Sequence, residues 1–373
     1  MRTRNLLPSA THVNLTIGTV VDIVIPNAYI MTYTPSFFFE YVHLNYIYKM
    51  AVLTDNTYEL ILHTSVISND EVRLYNAMLQ IGEHKSIDVL DSYGRSPLHW
   101  ASMLGYNHMV QALLNHNANP NMQDNEGNTP LHMVYTKNIK SAKLLLSRNA
   151  DPDIQNHEGE TPLFTHASKG NTRIVKILVE YKANQTIQNN IGVTPLYMAI
   201  TNGHIDTTEL LLINASLQAQ HLTGDTSIIN SHGLTHLTGE TLLHAASLIA
   251  PSIAERMIPL LCNYGANFTT DKFNATPLHW AAAHNNHNAV RIFIEYGKAT
   301  NTLKHFIDHK DNLGNTPLHY AAWHGYESVV YVLLANDANP QPKDNYGLTP
   351  RDYAMRSGKH QIVQMIDTMI KNE

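Results

Sequence analysis

"DNLGNTPLHYAAWHG", residues 311–325, constrains this chain more than any other feature, because close copies of it recur. "DSYGRSPLHWASMLG" begins at 91, "DNEGNTPLHMV" at 124, "NHEGETPLFTHASKG" at 156 and "NNIGVTPLYMAITNG" at 189. "HLTGETLLHAASL" follows at 236, "DKFNATPLHWAAAHN" at 271 and "DNYGLTPRDYAMRSG" at 344. The intervals between these starts are 33, 32, 33, 47, 35, 40 and 33 residues. A period near 33 specifies a stack of small units, none of which can bury its apolar face alone.

Each position in the motif has a mechanical reading. Asp311 to Gly314 make a tight turn, with Gly in a backbone region that other residues resist. Thr316 is placed to cap a helix, and Pro317 sits at its first position, where a missing N–H costs nothing. Leu318, Ala321 and Ala322 give a short helix whose small residues let the next layer approach. Gly325 ends it, and "ESVVYVLLAND" supplies a second helix that points Val329, Val330, Leu333 and Leu334 inward. Equivalent helices are expected to begin at Thr129, Thr161 and Thr276.

With "TPLH…A", "G", "V..LL" and "AN" in this order, the chain resembles the ankyrin repeat family over about residues 69–370. The resemblance implies an all-α repeat solenoid of stacked helix-turn-helix units with β-hairpin-like fingers. Units are expected at 91–123, 124–155, 156–188, 189–215, 236–270, 271–310 and 311–343, with a polar C-terminal cap at 344–373. Residues 50–90 read as a degenerate N-terminal cap. Its helices are expected over 54–65 and after Asn69, with Val72, Tyr75 and Leu79 on one face and Gly82 as the stop. The excess segments 216–235 and 298–310 are expected in the fingers, on a binding face or as a decayed unit.

The family favours a left-handed Gly after the second helix. Gly265 and Gly297 keep it, Asn117 and Asn149 are tolerable substitutes, and Lys182 and Asp337 fit less well. Asn274 stands where the other turns have Gly. The second unit is a residue short at "YTKNIKS" and lacks its Gly.

Residues 1–49 are aromatic, broken by Pro and without the repeat. They read as a disordered or loosely docked extension, a membrane-contacting segment, or translated sequence upstream of a start at Met50. Their best apolar run, "IVIPNAYIMTYTPSFFF", is interrupted and shorter than the roughly 20 residues a membrane span needs. Net charge is −6 with no long basic run, which argues against nucleic acid as a partner. The lone cysteine, Cys262, excludes an internal disulfide and multi-Cys zinc sites.

Twenty-three histidines raise the question of metal. His99, His132, His244, His279 and His319 hold the motif position, where bracing of the cap is the expected role. His284 and His287 add no carboxylate to His279, and HExxH is absent. Cys262 reads as a small apolar side chain on a second helix rather than a nucleophile. No glycine-rich phosphate loop is present. The chain is expected to be no enzyme and to need no metal or cofactor; the competing reading is a cryptic enzyme using residues 1–68 or Cys262.

The resemblance implies a non-catalytic scaffold that binds a partner protein through its concave face and fingers, as a cytoplasmic monomer. The family's contact positions flank the turn Gly and lie near the end of the first helix. Carried over, they are Tyr93, Arg95, Met103 and Leu104, then Glu126, His157, Glu158, Glu160, Lys169, Ile191 and Val193. Later units give Lys272, Phe273, His284, Leu313, Trp323, His324, Tyr346 and Leu348. Phe273, Leu313, Trp323, Tyr346 and Leu348 would form an apolar-aromatic strip of the kind that anchors interfaces. Alternatively, Phe273 and Trp323 pack on neighbouring fingers or on the 298–310 insertion. Trp100, Trp280 and Tyr320 are expected to pack between units. The Asn/Ile-rich composition resembles arrays of intracellular bacteria, some delivered into the host cytosol.

Overall fold

The computed structural model describes residues 11–13, 16–17, 19–20, 23–25, 57–81, 86–135, 137–222 and 239–372. Near the N-terminus, Thr11–Val13 pairs antiparallel with Ile23–Ile25, and Thr16–Ile17 with Thr19–Val20. From Thr57 onward the described secondary structure is helical.

The helices stack in two rows. One row holds Pro97–Leu104, Pro162–Ser168, Pro195–Thr201, Leu242–Leu248, Pro277–Ala283, Pro317–His324 and Pro350–Arg356. The other holds Asn107–Asn115, Ile139–Ser147, Thr172–Glu180, Ile205–Leu222, Pro251–Asn263, His287–Ala299, Glu327–Leu334 and His360–Asn372. Neighbours in each row touch, except that Pro97–Leu104 and Pro162–Ser168 are parted by the unit at 124, and one apolar core runs the length of the array, from Leu62 to Ile366. The small residues foreseen in the first helices, such as Ala281, Ala282, Ala321 and Ala322, are fully buried between layers.

Histidine joins one layer to the next. In five units its Nδ1 accepts the N-cap backbone N–H, at 3.0 Å for Thr316 and His319. That acceptance fixes the proton on Nε2, which donates to a carbonyl of the following unit. His99 reaches Asn128, His132 Glu160, His244 Ala275, His279 Asn315 and His319 Leu348, at 3.0–3.2 Å. His63 makes the same reach to the Arg95 carbonyl at 2.9 Å. In the last unit Asp352 takes over the cap, accepting from the Thr349 N–H at 2.9 Å.

The turns are built as uniformly. Asp311 Oδ1 accepts the N–H groups of Leu313 and Asn315, both at 2.9 Å, and Asp91, Asp124, Asn156, Asn189, Asp271 and Asp344 do the same in their turns. Consecutive fingers are laced by backbone bonds such as Asn312 N–H to Phe273 O and Asn345 N–H to Leu313 O. Gly314 has φ +82°, and a Cβ there would lie 2.7 Å from the Asn345 backbone nitrogen. Asn274 manages the left-handed turn at φ +59°. Asn117, Asn149, Lys182 and Asp337 are left-handed as their place after the second helix demands.

Five expectations are corrected. Gly297 does not end its helix: it lies buried inside His287–Ala299, and Asn301 is the left-handed residue, at φ +56°. Gly297 is small because Phe306 packs on it, where a Cβ would meet the ring at 2.3 Å. The 298–310 segment is therefore no finger; it ends that helix, forms Leu303–Phe306 and buries Phe306 against Phe268, ring centroids 5.0 Å apart. The start of the 216–235 segment is likewise no finger, since the helix Ile205–Leu222 runs straight through it. Residues 223–235 lie outside the described residues.

Near the N-terminal end, Asp70 rather than Asn69 caps Glu71–Leu79, accepting from the Arg73 N–H at 2.9 Å. Leu74, Ala77 and Met78 face the core, whereas Val72, Tyr75 and Leu79 are exposed. Both faces carry apolar residues at helical spacing, and contact with Thr57–Ile67 decides between them. Gly82 lies outside the described residues. Finally, Thr129 starts a turn and no helix, although its bond to His132 is intact at 3.0 Å. The shortened linker leaves no room for the missing turns. Two substitutes bridge back to the previous unit: Tyr135 N–H to Ser102 O at 3.1 Å, and the Asn138 side-chain amide to the Gly105 carbonyl.

Candidate functional site

The third position of the turn gives its carbonyl to the finger ladder and turns its side chain to the surface. Reading along the fingers, it holds Tyr93, Glu126, Glu158, Ile191, Phe273, Leu313 and Tyr346, all exposed. Phe273 is 60% exposed, Leu313 52% and Tyr346 77%, and the finger bonds hold the three in sequence.

Behind the last two fingers lies Trp323, 45% exposed at the end of its helix. Its ring packs edge-on against Tyr353, centroids 5.6 Å apart. Two clefts share this pair. One, of about 380 Å³, is lined by Trp323, Tyr346, Leu348, Tyr353 and Arg356. The other, of about 300 Å³, adds Leu313, Asn315, His319, Tyr320 and His324 to the same two rings. Five of the sequence-derived residues thus converge here: Leu313, Trp323, His324, Tyr346 and Leu348.

The sequence pattern did not single out Tyr353 or Arg356. Tyr353 was findable, since it stands nine residues after Asp344 as Tyr320 stands after Asp311. Trp100, Trp280, Tyr320 and Tyr353 all send their ring N–H or hydroxyl to the second oxygen of their own turn Asp, at 2.6–3.1 Å. Trp280, Tyr320 and Tyr353 also pack edge-on against the motif histidine of the preceding unit. The expected packing between units is present, with an added tether inside each unit.

Other carried-over positions are spread out or engaged. Arg95 is half-buried, 3.5 Å from Asp124 and lying over the rings of Tyr93 and Trp100, so it braces its finger. Met103 and Leu104 lean on the core, and Val193 is buried in it. Glu126, His157, Glu158 and Lys169 are exposed on the earlier units, with Glu160 half-buried beside them. Burial, and then the charge of Glu158, raises the Glu160 carboxyl above its ordinary range. Lys272 and His284 are exposed, the latter with Nδ1 2.9 Å from the Trp280 carbonyl.

Among the described residues, the titratable groups do not assemble a reactive centre. Burial pushes the Cys262 thiol up to about 11, opposite to what a nucleophile needs. Burial also depresses the capping histidines, to about 4 at His132 and His279, which keeps them neutral. Among the described residues, no three His, Cys, Asp or Glu side chains converge as a metal site. Nor is any described helix long and apolar enough to cross a membrane.

A family profile for ankyrin repeats, in blocks of three copies, matches residues 62–156, 133–221, 219–304, 242–344 and 298–369. This chain belongs to the ankyrin repeat family. The fold is also similar to the crystal structure of the ankyrin repeat domain of Bcl-3, described as a unique member of the IkappaB protein family. The TM-score is 0.52 at 20% identity, covering 62% of this chain and 97% of the Bcl-3 domain. That likeness concerns the fold. An ankyrin array is typically a non-catalytic module for protein–protein interaction, so surface side chains distinguish one member from another.

Proposed function

We propose that this ankyrin protein is a non-catalytic scaffold that holds a partner protein on its fingers and first-helix face, with the Trp323–Tyr353 clefts as the principal contact. One observation carries the reading: exposed aromatic and apolar residues from two successive units line two clefts that share Trp323 and Tyr353. Large rigid aromatics beside concave space are where binding energy concentrates in protein interfaces. Tyr93, Glu126, His157, Glu160, Lys169, Phe273 and His284 then form the outlying contacts, and Arg95 and Met103 support them from behind.

Proximity labelling and affinity capture with mass spectrometry would compare the full chain with a Trp323→Ala, Tyr346→Ala double variant. The specific partner should disappear from the variant while its thermal melt stays within a few degrees of the parent. Retention of the same partner at the same yield would retire this placement.

A further inference from the structure

With the clefts as the principal contact, a reading on which this inference rests, their chemistry narrows what the partner can be. At about 380 and 300 Å³, each is at or near the lower end of the roughly 300–1,000 Å³ that small-molecule pockets occupy, which suits single side chains. Trp323 and Tyr353 line both. Side chains on one side of an extended peptide recur every second residue, about 7 Å apart. Packing on both sides of an intervening ring requires a similar separation, roughly twice the 3.5–4.0 Å of a carbon contact.

Charge decides the rest. Aromatic walls attract cations when nothing else is near. Here Arg356 already lines the larger cleft and makes no ion pair with any carboxylate among the described residues. The carboxylates around the clefts are engaged. Asp344 accepts from Tyr346 and Leu348 N–H and the Tyr353 hydroxyl, at 2.8–2.9 Å. Asp311 accepts the matching set from Leu313, Asn315 and Tyr320. Asp352 accepts from Thr349, and Asp367 holds the neighbouring Arg351 at 2.6 and 3.0 Å. A lysine or arginine entering here would meet the positive charge of Arg356, while Asp311 and Asp344 already hold their turns and Asp352 its cap. A carboxylate would find a charge-assisted donor.

We propose that the paired clefts bind an extended acidic-apolar peptide segment of a partner protein. Two large apolar side chains of alternate residues straddle Trp323, and a neighbouring Asp or Glu meets Arg356. The chain as a whole carries −6, so the attraction is local and sets register and specificity more than long-range steering.

The test pans a library of random short peptides against the full-length chain and against the Trp323→Ala and Arg356→Glu variants. The expected winners have two large apolar residues separated by one, with an acidic residue alongside. Trp323→Ala should weaken them by about 10-fold or more. Arg356→Glu should weaken them about 5- to 10-fold and enrich basic peptides in a fresh selection. Thermal melts confirm that both variants fold. If the winners need Trp323 but are neutral or basic, or ignore Arg356→Glu, this inference falls and the interaction surface stands. If they bind regardless of Trp323, or if nothing is enriched, both readings fall. A synthetic peptide of residues 35–46 is a further arm: tight binding there would assign the clefts to this chain itself and overturn the foreign partner.

Discussion

The early and late fingers share a backbone and differ in what they display. Both use an Asp or Asn at the first turn position to hold two N–H groups, and both are laced finger to finger. The third position, however, is Glu in the fingers at 124 and 156 and aromatic or apolar in those at 271, 311 and 344, as it is at Tyr93 and Ile191 on either side of the acidic pair. On the proposed function, structure and recognition therefore fall to different residues of a five-residue turn. Stability sits at the first position and in the buried histidine, and the proposed contact sits two residues later.

Several experiments test this division, beginning with the most damaging. Asp311→Ala removes the acceptor for two N–H groups and the Tyr320 hydroxyl, so it should cost roughly 3 kcal/mol and lower the thermal midpoint by about 5–10 °C. Glu126→Ala in an early finger should leave the midpoint within about 1 °C, because surface truncations cost little. A large loss there would erase the contrast.

Acid comes next. His132 and His279 bind protons near pH 6.5 in the unfolded chain but only near pH 4 in the folded one, and burial lowers the other three motif histidines as well. The unfolded state therefore holds more protons between these values, and stability falls as pH drops from about 6.5 towards 4. Melting midpoints should decline by several degrees between pH 7 and pH 5, and His279→Gln should reduce that slope. A flat profile would remove histidine from the account of what joins the layers.

At the surface, Phe273→Glu and Leu313→Glu together should abolish partner binding with a change in stability below about 0.5 kcal/mol. The reciprocal Glu126→Phe and Glu158→Leu would show whether apolar third positions suffice to create a contact. The smallest effects lie at the left-handed junctions. Lys182→Gly and Asp337→Gly should each stabilise by about 1 kcal/mol, as calorimetry would record, since both now hold φ near +65°.

Much of the fold was legible because repetition multiplies a weak signal. Asn117, Asn149, Lys182 and Asp337 could be assigned left-handed backbone from their place in the period alone, and the motif histidines their capping role. What sequence left obscure was set by contacts outside the period. Gly297 looked like a helix stop, but Phe306, from the following segment, explains it. Val72, Tyr75 and Leu79 matched a helical face as well as Leu74, Ala77 and Met78 did, and only the neighbouring helix chose. At the site, third-position residues were readable one unit at a time. The convergence of Tyr353 and Arg356 on Trp323 needed the superposition of two units.

The missing helix after Thr129 has a mechanical consequence. Everywhere else adjoining layers meet helix to helix, but at this seam the first row is bridged by a single turn, Tyr135 and Asn138. A rod with one thin joint parts there first, whether it is heated or pulled. Amide exchange should therefore be fastest across 129–138, and a protease given a brief chance should cut the chain into two unequal lengths, leaving the aromatic clefts whole on the longer one.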